Sequence, residues 1–290
     1  MRDLDQTEED IVAEIQGQLS KMTATLSQDQ GLASYQMVLG AQHLEMNELI
    51  GQQIQLSFAG KINCQSCDRL IKKSYSGGFC FPCAQKLAQC DLCIMKPETC
   101  HYDAGTCREP EWGDQFCMQD HFVYLANSSA IKVGITRHTQ VPTRWIDQGA
   151  TQALPIFRVK TRYQSGLVEV ILKAHVSDRT DWRKMLKGQH DTPVDLAAKR
   201  DQLMLECADE IVALQQRFGD GAISPLLDEP TVEINYPVQQ FPEKVKSLNF
   251  DKTPEISGKL LGIKGQYLIL DIGVLNIRKF SAYTIKMRTD

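Results

Sequence analysis

Cysteine spacing is the strongest constraint on how this chain folds. Nine of its ten cysteines lie between Cys64 and Cys117. The first residues are acidic and lack the cationic and apolar parts of a secretory signal, so we expect a cytoplasmic protein. Because disulfides are rare in a reducing cytosol, the cysteines are predicted to bind metal. The tenth, Cys207, is predicted to be a small buried residue in a helix.

The first four cysteines form two CxxC pairs, Cys64/Cys67 and Cys80/Cys83, separated by twelve residues. This spacing is typical of a zinc ribbon, in which each pair supplies two thiolates to one tetrahedral ion. Four thiolates leave no coordination position open for water, so the site is predicted to be structural. Iron is the alternative, because paired CxxC turns bind either metal.

A second metal site is predicted further along the Cys-rich segment. It has seven candidate ligands for four positions. The preferred ligands are Cys90, Cys93, Cys107 and Cys117. The alternatives are Cys100, His101 and His121. We therefore expect two structural zinc ions.

Composition excludes two broad classes of protein. Apolar residues make up 42% of the 290 residues and charged residues 23%, which is ordinary for a globular protein and argues against general disorder. No run of about 18 apolar residues is present, so no membrane span is expected.

Charge is distributed unevenly along the chain. Residues 121–190 carry eleven Lys and Arg against four acidic residues, and residues 244–290 carry nine against four, in a chain of net charge −4. Clustered basic residues favour a polyanionic partner, nucleic acid above all. Alternatively, they neutralise the acidic segments 1–60 and 191–243. The acidic N-terminal helix and the 191–243 segment are themselves candidate docking surfaces for a protein partner.

Hydrophobic periodicity predicts an α+β protein. An amphipathic helix is expected from Glu8 to Leu26, strands in residues 35–60 and 255–280, and a further helix from Thr192 to Phe218. Because a lone strand pair is marginal in water, the two β segments are predicted to pair into one unit. The expected segments are an N-terminal helix or tail (1–30), a β segment (31–62), a zinc-binding segment (63–120), a mixed α/β domain (121–190), an acidic helix and linker (191–250) and a C-terminal β segment (251–290).

The segment after the cysteines predicts a β-hairpin, with strands ending at Leu125 and beginning at Ile131. A helix with Arg144, a strand near Ile156 to Val159 and a helix from Ser165 follow. An arginine for phosphate, a glutamate (Glu169) for a divalent cation and a tyrosine (Tyr124) are the groups that metal-assisted phosphodiester cleavage uses. The alternative is structural: Glu169 pairs with Lys173, and Arg144 packs on Trp145.

This segment resembles the GIY-YIG nuclease superfamily, a small antiparallel sheet flanked by helices. Phe122-Val123-Tyr124 is similar to the first motif, and Lys132-Val133-Gly134 to the second, with Lys132 in place of its tyrosine. The resemblance implies that Tyr124 activates water, Arg144 binds phosphate and Glu169 binds Mg²⁺ or Mn²⁺. Three more cations are expected to attract the nucleic-acid backbone. They are Lys132, Arg137 and Arg162.

The chain as a whole resembles a bacterial family designated domain of unknown function 2797, through CHYDAGTCREPEW, KVGITR, PTRWIDQGA and GIKGQYLIL. Three functional hypotheses follow. The first is a divalent-metal-dependent nuclease or processing enzyme with structural zinc. The second is a non-catalytic RNA- or DNA-binding module, favoured by Lys132, and the third is a protein-interaction scaffold.

Overall fold

The computed structural model describes residues 13–188 and 192–289. The strands are β1 (Ala13–Gln18), β2 (Thr23–Leu26), β3 (Ala33–Leu39), β4 (Gln42–Glu45), β5 (Gln53–Ile62), β6 (His121–Asn127), β7 (Ile131–Arg137), β8 (Gln152–Val159), β9 (Ile223–Pro225), β10 (Val232–Glu233), β11 (Glu255–Lys264), β12 (Tyr267–Leu270), β13 (Gly273–Asn276) and β14 (Tyr283–Thr289). The helices are α1 (Phe81–Lys86), α2 (Pro110–Phe116), α3 (Thr143–Asp147), α4 (Arg162–Leu172), α5 (Trp182–Leu186), α6 (Leu196–Glu206) and α7 (Ala208–Phe218).

Both ends of the chain build one antiparallel sheet, the terminal sheet. Its strand order is β1-β14-β5-β11-β12-β13, so the long strand β5 pairs with β14 on one side and β11 on the other. β11 turns into β12 at Gly265, which has a φ of +63°. This arrangement confirms the predicted pairing of the two terminal β segments for β5, whereas β3 and β4 of the N-terminal β segment lie in a separate sheet.

The predicted N-terminal helix is wrong where the structure describes it. Residues 13–26 form β1 and β2, and the part of the prediction before residue 13 lies outside the described residues. Ile15 pairs with Met287 of β14. A Cβ on Gly17 would lie 2.4 Å from the Leu39 carbonyl, so the strand can pass β3 only because residue 17 is glycine. Tertiary pairing therefore overrides the helical spacing of the apolar residues.

A second sheet, the central sheet, holds the hairpin that follows the cysteines. Its order is β10-β8-β6-β7, with β9 on β8. Successive β6 side chains point to opposite faces: Val123 and Leu125 pack on the helical side, whereas Tyr124 and Ala126 join the core shared with the terminal sheet. The predicted hairpin is confirmed as β6 and β7. A small third sheet, β2-β3-β4, adds to the shared core.

The helices differ from prediction in where they start and stop. The expected helix over 192–218 is two helices, α6 and α7, that meet at Cys207. Cys207 is fully buried, which confirms its predicted role as a core residue. α4 begins at Arg162, three residues early, because Thr161 and Gln164 form a capping box. Among the described residues, no helix combines the length and apolarity needed to cross a membrane.

Candidate metal centre and basic pocket

The first four cysteines meet at one point. The sulfurs of Cys64, Cys67, Cys80 and Cys83 all lie within 4.8 Å of one another, and those of Cys67 and Cys80 are 3.8 Å apart. Four sulfurs at about 2.3 Å from a tetrahedral zinc ion would be spaced at about 3.8 Å. The cluster therefore has the donor set and the spacing of a metal site.

Local structure sets up this cluster. Cys64 and Cys67 follow β5 in a tight turn, where the Asp68 amide donates to the Cys64 carbonyl (2.9 Å). Cys80 precedes α1, and its amide donates to the Cys64 sulfur at 3.2 Å. Burial raises the pKa of the Cys64 thiol, but amide donors from Cys80, Cys67 and Ser66 outweigh burial and lower this pKa to about 6. The turn thus stabilises a thiolate, which is the form that binds metal.

The remaining five cysteines separate into two places. Four of them line one enclosed cavity of about 20 Å³. They are Cys93, Cys100, Cys107 and Cys117. Cys90, which belongs to the preferred ligand set, instead lines a separate depression beside Ser76 and Gly77. His121 is buried with its Nδ1 2.7 Å from the Gln119 carbonyl oxygen, and burial lowers the pKa of this imidazole to about 4.

Five cations surround a cavity of about 310 Å³, which we call the basic pocket. They are Lys132, Arg137, Arg144, Arg162 and Arg278. Three parts of the fold supply its walls: the central sheet with α3 and α4, the Cys-rich segment through Ile94, Met95 and Pro97, and the terminal sheet through Arg278. Five of the site residues predicted from the sequence thus line one pocket. They are Lys132, Arg137, Arg144, Arg162 and Glu169.

Two carboxylates, those of Glu169 and Asp178, also line the basic pocket, and one lysine forms an ion pair with both. Lys173 Nζ lies 3.3 Å from Glu169 and 3.2 Å from Asp178. Burial raises the pKa of the Glu169 carboxyl, although Lys173 acts in the opposite direction. The negative charge in the pocket is therefore already partnered, whereas most of the positive charge has no ion-pair partner among the described residues.

The hydrogen-bond donors of Arg162 are only partly satisfied among the described residues. Its Nη2 donates to the Ile94 carbonyl at 2.6 Å, and its Nε is buried with no acceptor among the described residues. Burial is the main effect lowering the pKa of this guanidinium. A buried arginine with an unused donor is stabilised by an anion that supplies the missing acceptor.

Lys132 is the most deeply buried of the five cations, with 4% of its surface exposed. Its ammonium donates to Thr180 Oγ1 at 2.7 Å. Burial, reinforced by the charge of Arg144, lowers the pKa of Lys132 to about 7, against the opposing effect of Asp178 and Glu169. Lys132 is therefore a cation whose charge changes near neutral pH.

Tyr124 lies beneath the basic pocket. Its ring is fully buried and its hydroxyl donates to Gln148 Oε1 at 2.9 Å. A Cβ on Gly134 would lie 2.8 Å from that hydroxyl, so a glycine at position 134 makes room for the Tyr124 side chain. Burial raises the pKa of the phenol, with Arg144 opposing. In this arrangement Tyr124 orients Gln148, which does line the pocket.

The sequence of this chain matches one protein family. The sequence profile of the family described as "Protein of unknown function (DUF2797)" matches residues 51–285. The chain belongs to this family. The matched region of this DUF2797 chain runs from the start of β5 into β14, and it includes the four-cysteine cluster and all five cations of the basic pocket. No curated protein and no solved structure matches the chain.

Sequence reasoning missed five polar residues of the pocket in the DUF2797 chain: Thr136, Gln140, Gln148, Asp178 and Arg278. Gln148 follows α3 directly and could have been found from the hairpin and helix pattern. Arg278 lies more than a hundred residues after Arg162 in the sequence, and no local pattern connects the two. Only the packing of the terminal sheet against the central sheet brings Arg278 to the site.

Proposed function

We propose that the basic pocket binds the phosphodiester backbone of a nucleic acid. The observation that carries this proposal is the convergence of five cations on one cavity in which Lys173 already pairs both carboxylates. Arginine guanidinium groups match phosphate oxygens in a planar, bidentate geometry. A cavity of about 310 Å³ is also at the lower end of the range for small-molecule sites, so a phosphate with part of its nucleoside fits inside.

We also infer that the cluster of Cys64, Cys67, Cys80 and Cys83 binds zinc. Its four thiols and their spacing match a closed tetrahedral site, whose function is structural. This ion would hold the start of the Cys-rich segment, and the later part of that segment forms one wall of the basic pocket. Zinc would thereby support nucleic-acid binding without contacting the ligand.

The binding proposal predicts a specific loss in Arg144→Ala. Removing a guanidinium from the pocket should weaken affinity for a fluorescent single-stranded oligonucleotide roughly tenfold or more. The slope of log affinity against log salt should fall by about one, because one phosphate contact is lost. Fluorescence anisotropy at several salt concentrations, for DNA and for RNA, measures both quantities.

Arg217→Ala is the matched control, because Arg217 is exposed on α7 outside the pocket and carries the same charge. It should retain the affinity and the salt slope of the wild type. Equal losses in the two variants would show general charge attraction and would overturn a specific site. Circular dichroism of both variants verifies that the fold is intact.

Cleavage is the second candidate function, and the position of Glu169 favours it. The carboxylate faces the same cavity as Arg144, as in the GIY-YIG nucleases that this segment resembles. Glu169 would bind Mg²⁺ or Mn²⁺, which supplies Lewis-acid activation of the phosphodiester. Arg144 would hold the phosphate. The hydrogen bond from the Tyr124 hydroxyl would orient the side chain of Gln148, which lines the pocket.

Wild type and Glu169→Gln, incubated with DNA and RNA and either cation, distinguish cleavage from binding. A nuclease should lose product formation in Glu169→Gln while keeping its affinity for the oligonucleotide. Glu210→Gln, which changes an acidic residue in the first turn of α7, should cut as the wild type does. If the wild type binds without cutting any substrate, the nuclease function is excluded and the binding function stands.

A further inference from the structure

A second depression adjoins the basic pocket. Its volume is about 460 Å³, and Ile94, Met95 and Arg278 line both cavities. The two cavities are therefore neighbours, and both lie between the Cys-rich segment and the turn Ile277–Phe280, which connects β13 to β14. Because the basic pocket accommodates a phosphate with only part of its nucleoside, the larger depression offers room for the next part of the same polymer.

Two exposed cations give this depression positive charge. They are Arg278 and Lys279, and neither forms an ion pair in the part of the chain that the structure describes. The depression has one acidic residue, Asp91, whose carboxylate is already paired with Arg108 at 2.6 Å. The depression is therefore electrostatically suited to the same polyanion as the basic pocket.

A hairpin tip near the four-cysteine cluster supplies another part of the wall. Ser76 and Gly77 line the depression, and their φ angles of +46° and +80° have the positive sign that a type I′ turn requires. The Gly78 amide closes the turn by donating to the Tyr75 carbonyl at 3.1 Å. The turn thus places Tyr75 immediately before a residue that lines the depression.

Two exposed aromatic rings lie together at this hairpin. Tyr75 is 37% exposed and Phe81 is 53% exposed, and the centres of their rings are 5.4 Å apart. Lys73 Nζ lies 5.4 Å from the centre of the Tyr75 ring. Residues 63–87 carry four Lys or Arg and one acidic residue. Exposed rings in basic surroundings form the kind of surface on which unpaired bases stack.

We propose that the nucleic acid bound in the basic pocket is single-stranded and continues through this depression to the rings of Tyr75 and Phe81. This inference rests on the proposed phosphodiester binding. Along this path Arg278 and Lys279 contact the backbone that leaves the basic pocket, and the two rings stack on unpaired bases. A duplex would not use the rings, because its bases are already stacked on one another.

Strand length tests this path. In isothermal titration calorimetry, a single-stranded decanucleotide without internal pairing should bind roughly tenfold or more tightly than a 5′-phosphorylated dinucleotide, because only the longer strand reaches the rings. A duplex of the same length should bind more weakly than the single strand. Equal affinity of the dinucleotide and the decanucleotide, or of the duplex and the single strand, would overturn the proposal.

Lys279→Ala examines the depression separately, because Lys279 lines the depression but not the basic pocket. The variant should bind the decanucleotide severalfold more weakly, with a slope of log affinity against log salt reduced by about one. Its affinity for the dinucleotide should equal that of the wild type. Lys252→Ala removes an exposed lysine outside both cavities and should match the wild type with both ligands. Unchanged decanucleotide affinity in Lys279→Ala would contradict the path.

Two substitutions of Tyr75 test stacking. Tyr75→Ala removes the ring and should weaken decanucleotide binding about fivefold or more. Tyr75→Phe keeps the ring and should retain the affinity of the wild type. Circular dichroism of both variants verifies that the fold is intact. Wild-type affinity in Tyr75→Ala would show that the strand does not reach the rings, and this result would overturn the proposal.

The same measurements distinguish failure of this path from failure of the proposed function. Arg144 lines the basic pocket, so Arg144→Ala should weaken the binding of both the dinucleotide and the decanucleotide. If Arg144→Ala has this effect while Lys279→Ala and Tyr75→Ala bind the decanucleotide normally, the basic pocket is the whole site and the path fails. If the wild type binds neither ligand, the proposed function fails and this inference fails with it.

Discussion

Replacing Cys80 by Ser should remove one metal equivalent and unfold the segment between β5 and α2. From 63 to 87 this segment has little core of its own, because three of its large apolar residues, Leu70, Tyr75 and Phe81, are exposed and no other large apolar residue in this range is fully buried. A segment that cannot bury apolar surface needs another source of stability. Apparent zinc binding free energies of about 10–16 kcal/mol are large enough to supply it. We therefore expect the folded state of this segment to depend on its metal.

Hydrogen exchange read by mass spectrometry measures this effect together with metal analysis. Residues 63–87 should exchange rapidly in Cys80→Ser, whereas the amides of β6 and β8 should remain protected. Cys207→Ser is the control: it changes a fully buried cysteine outside the cluster, and it should lower overall stability without changing metal content. Unchanged metal content and exchange in Cys80→Ser would show that the four cysteines are not a metal site.

Lys132→Met should stabilise the protein at and below neutral pH. In the wild type, folding places the ammonium in a buried position beside Arg144, which lowers its pKa to about 7. The unfolded chain keeps Lys132 protonated up to about pH 10. Between these values the unfolded state binds more protons, so the free energy of unfolding of the wild type rises with pH.

The expected size of this effect follows from the two pKa values. Between pH 7 and pH 9, the free energy of unfolding of the wild type should rise by roughly 2 kcal/mol relative to Lys132→Met. Urea denaturation of both proteins at each pH measures it. Lys252→Met removes an exposed lysine and serves as the control. The difference in free energy of unfolding between Lys252→Met and the wild type should not change with pH. A constant difference for Lys132→Met as well would contradict the buried, titrating amine.

The same titration bears on the proposed function. The basic pocket loses one positive charge as pH rises through about 7, so affinity for a phosphodiester should fall from pH 6 to pH 8. Lys132→Met should bind more weakly at pH 6 and show a smaller change with pH. The GIY-YIG nucleases that this segment resembles have a tyrosine in the corresponding motif, and a tyrosine would supply no such charge. A lysine at position 132 therefore favours the binding function over cleavage.

Local spacing accounts for what could be predicted from sequence. A CxxC pair places two sulfurs within one turn, so the cluster of Cys64, Cys67, Cys80 and Cys83 follows from the sequence. Alternation of apolar residues likewise identified the hairpin of β6 and β7. The prediction failed at residues 13–26, where the strand pairs with β14 at the opposite end of the chain. Gly17 was the available signal, since glycine is unfavourable within a helix.

The sequence by itself determined the cluster of Cys64, Cys67, Cys80 and Cys83, the pairing of β5 with the C-terminal β segment and the presence of Arg144 and Glu169 near one hairpin. Only the tertiary structure decided that Arg278 joins them, that Cys90 and Cys93 line different depressions, and that Lys132 is buried. The physical reason is how far apart in the sequence the interacting residues lie. Ligand spacing within a turn is set by neighbouring residues, whereas burial and the meeting of charges depend on which sheets and helices pack together.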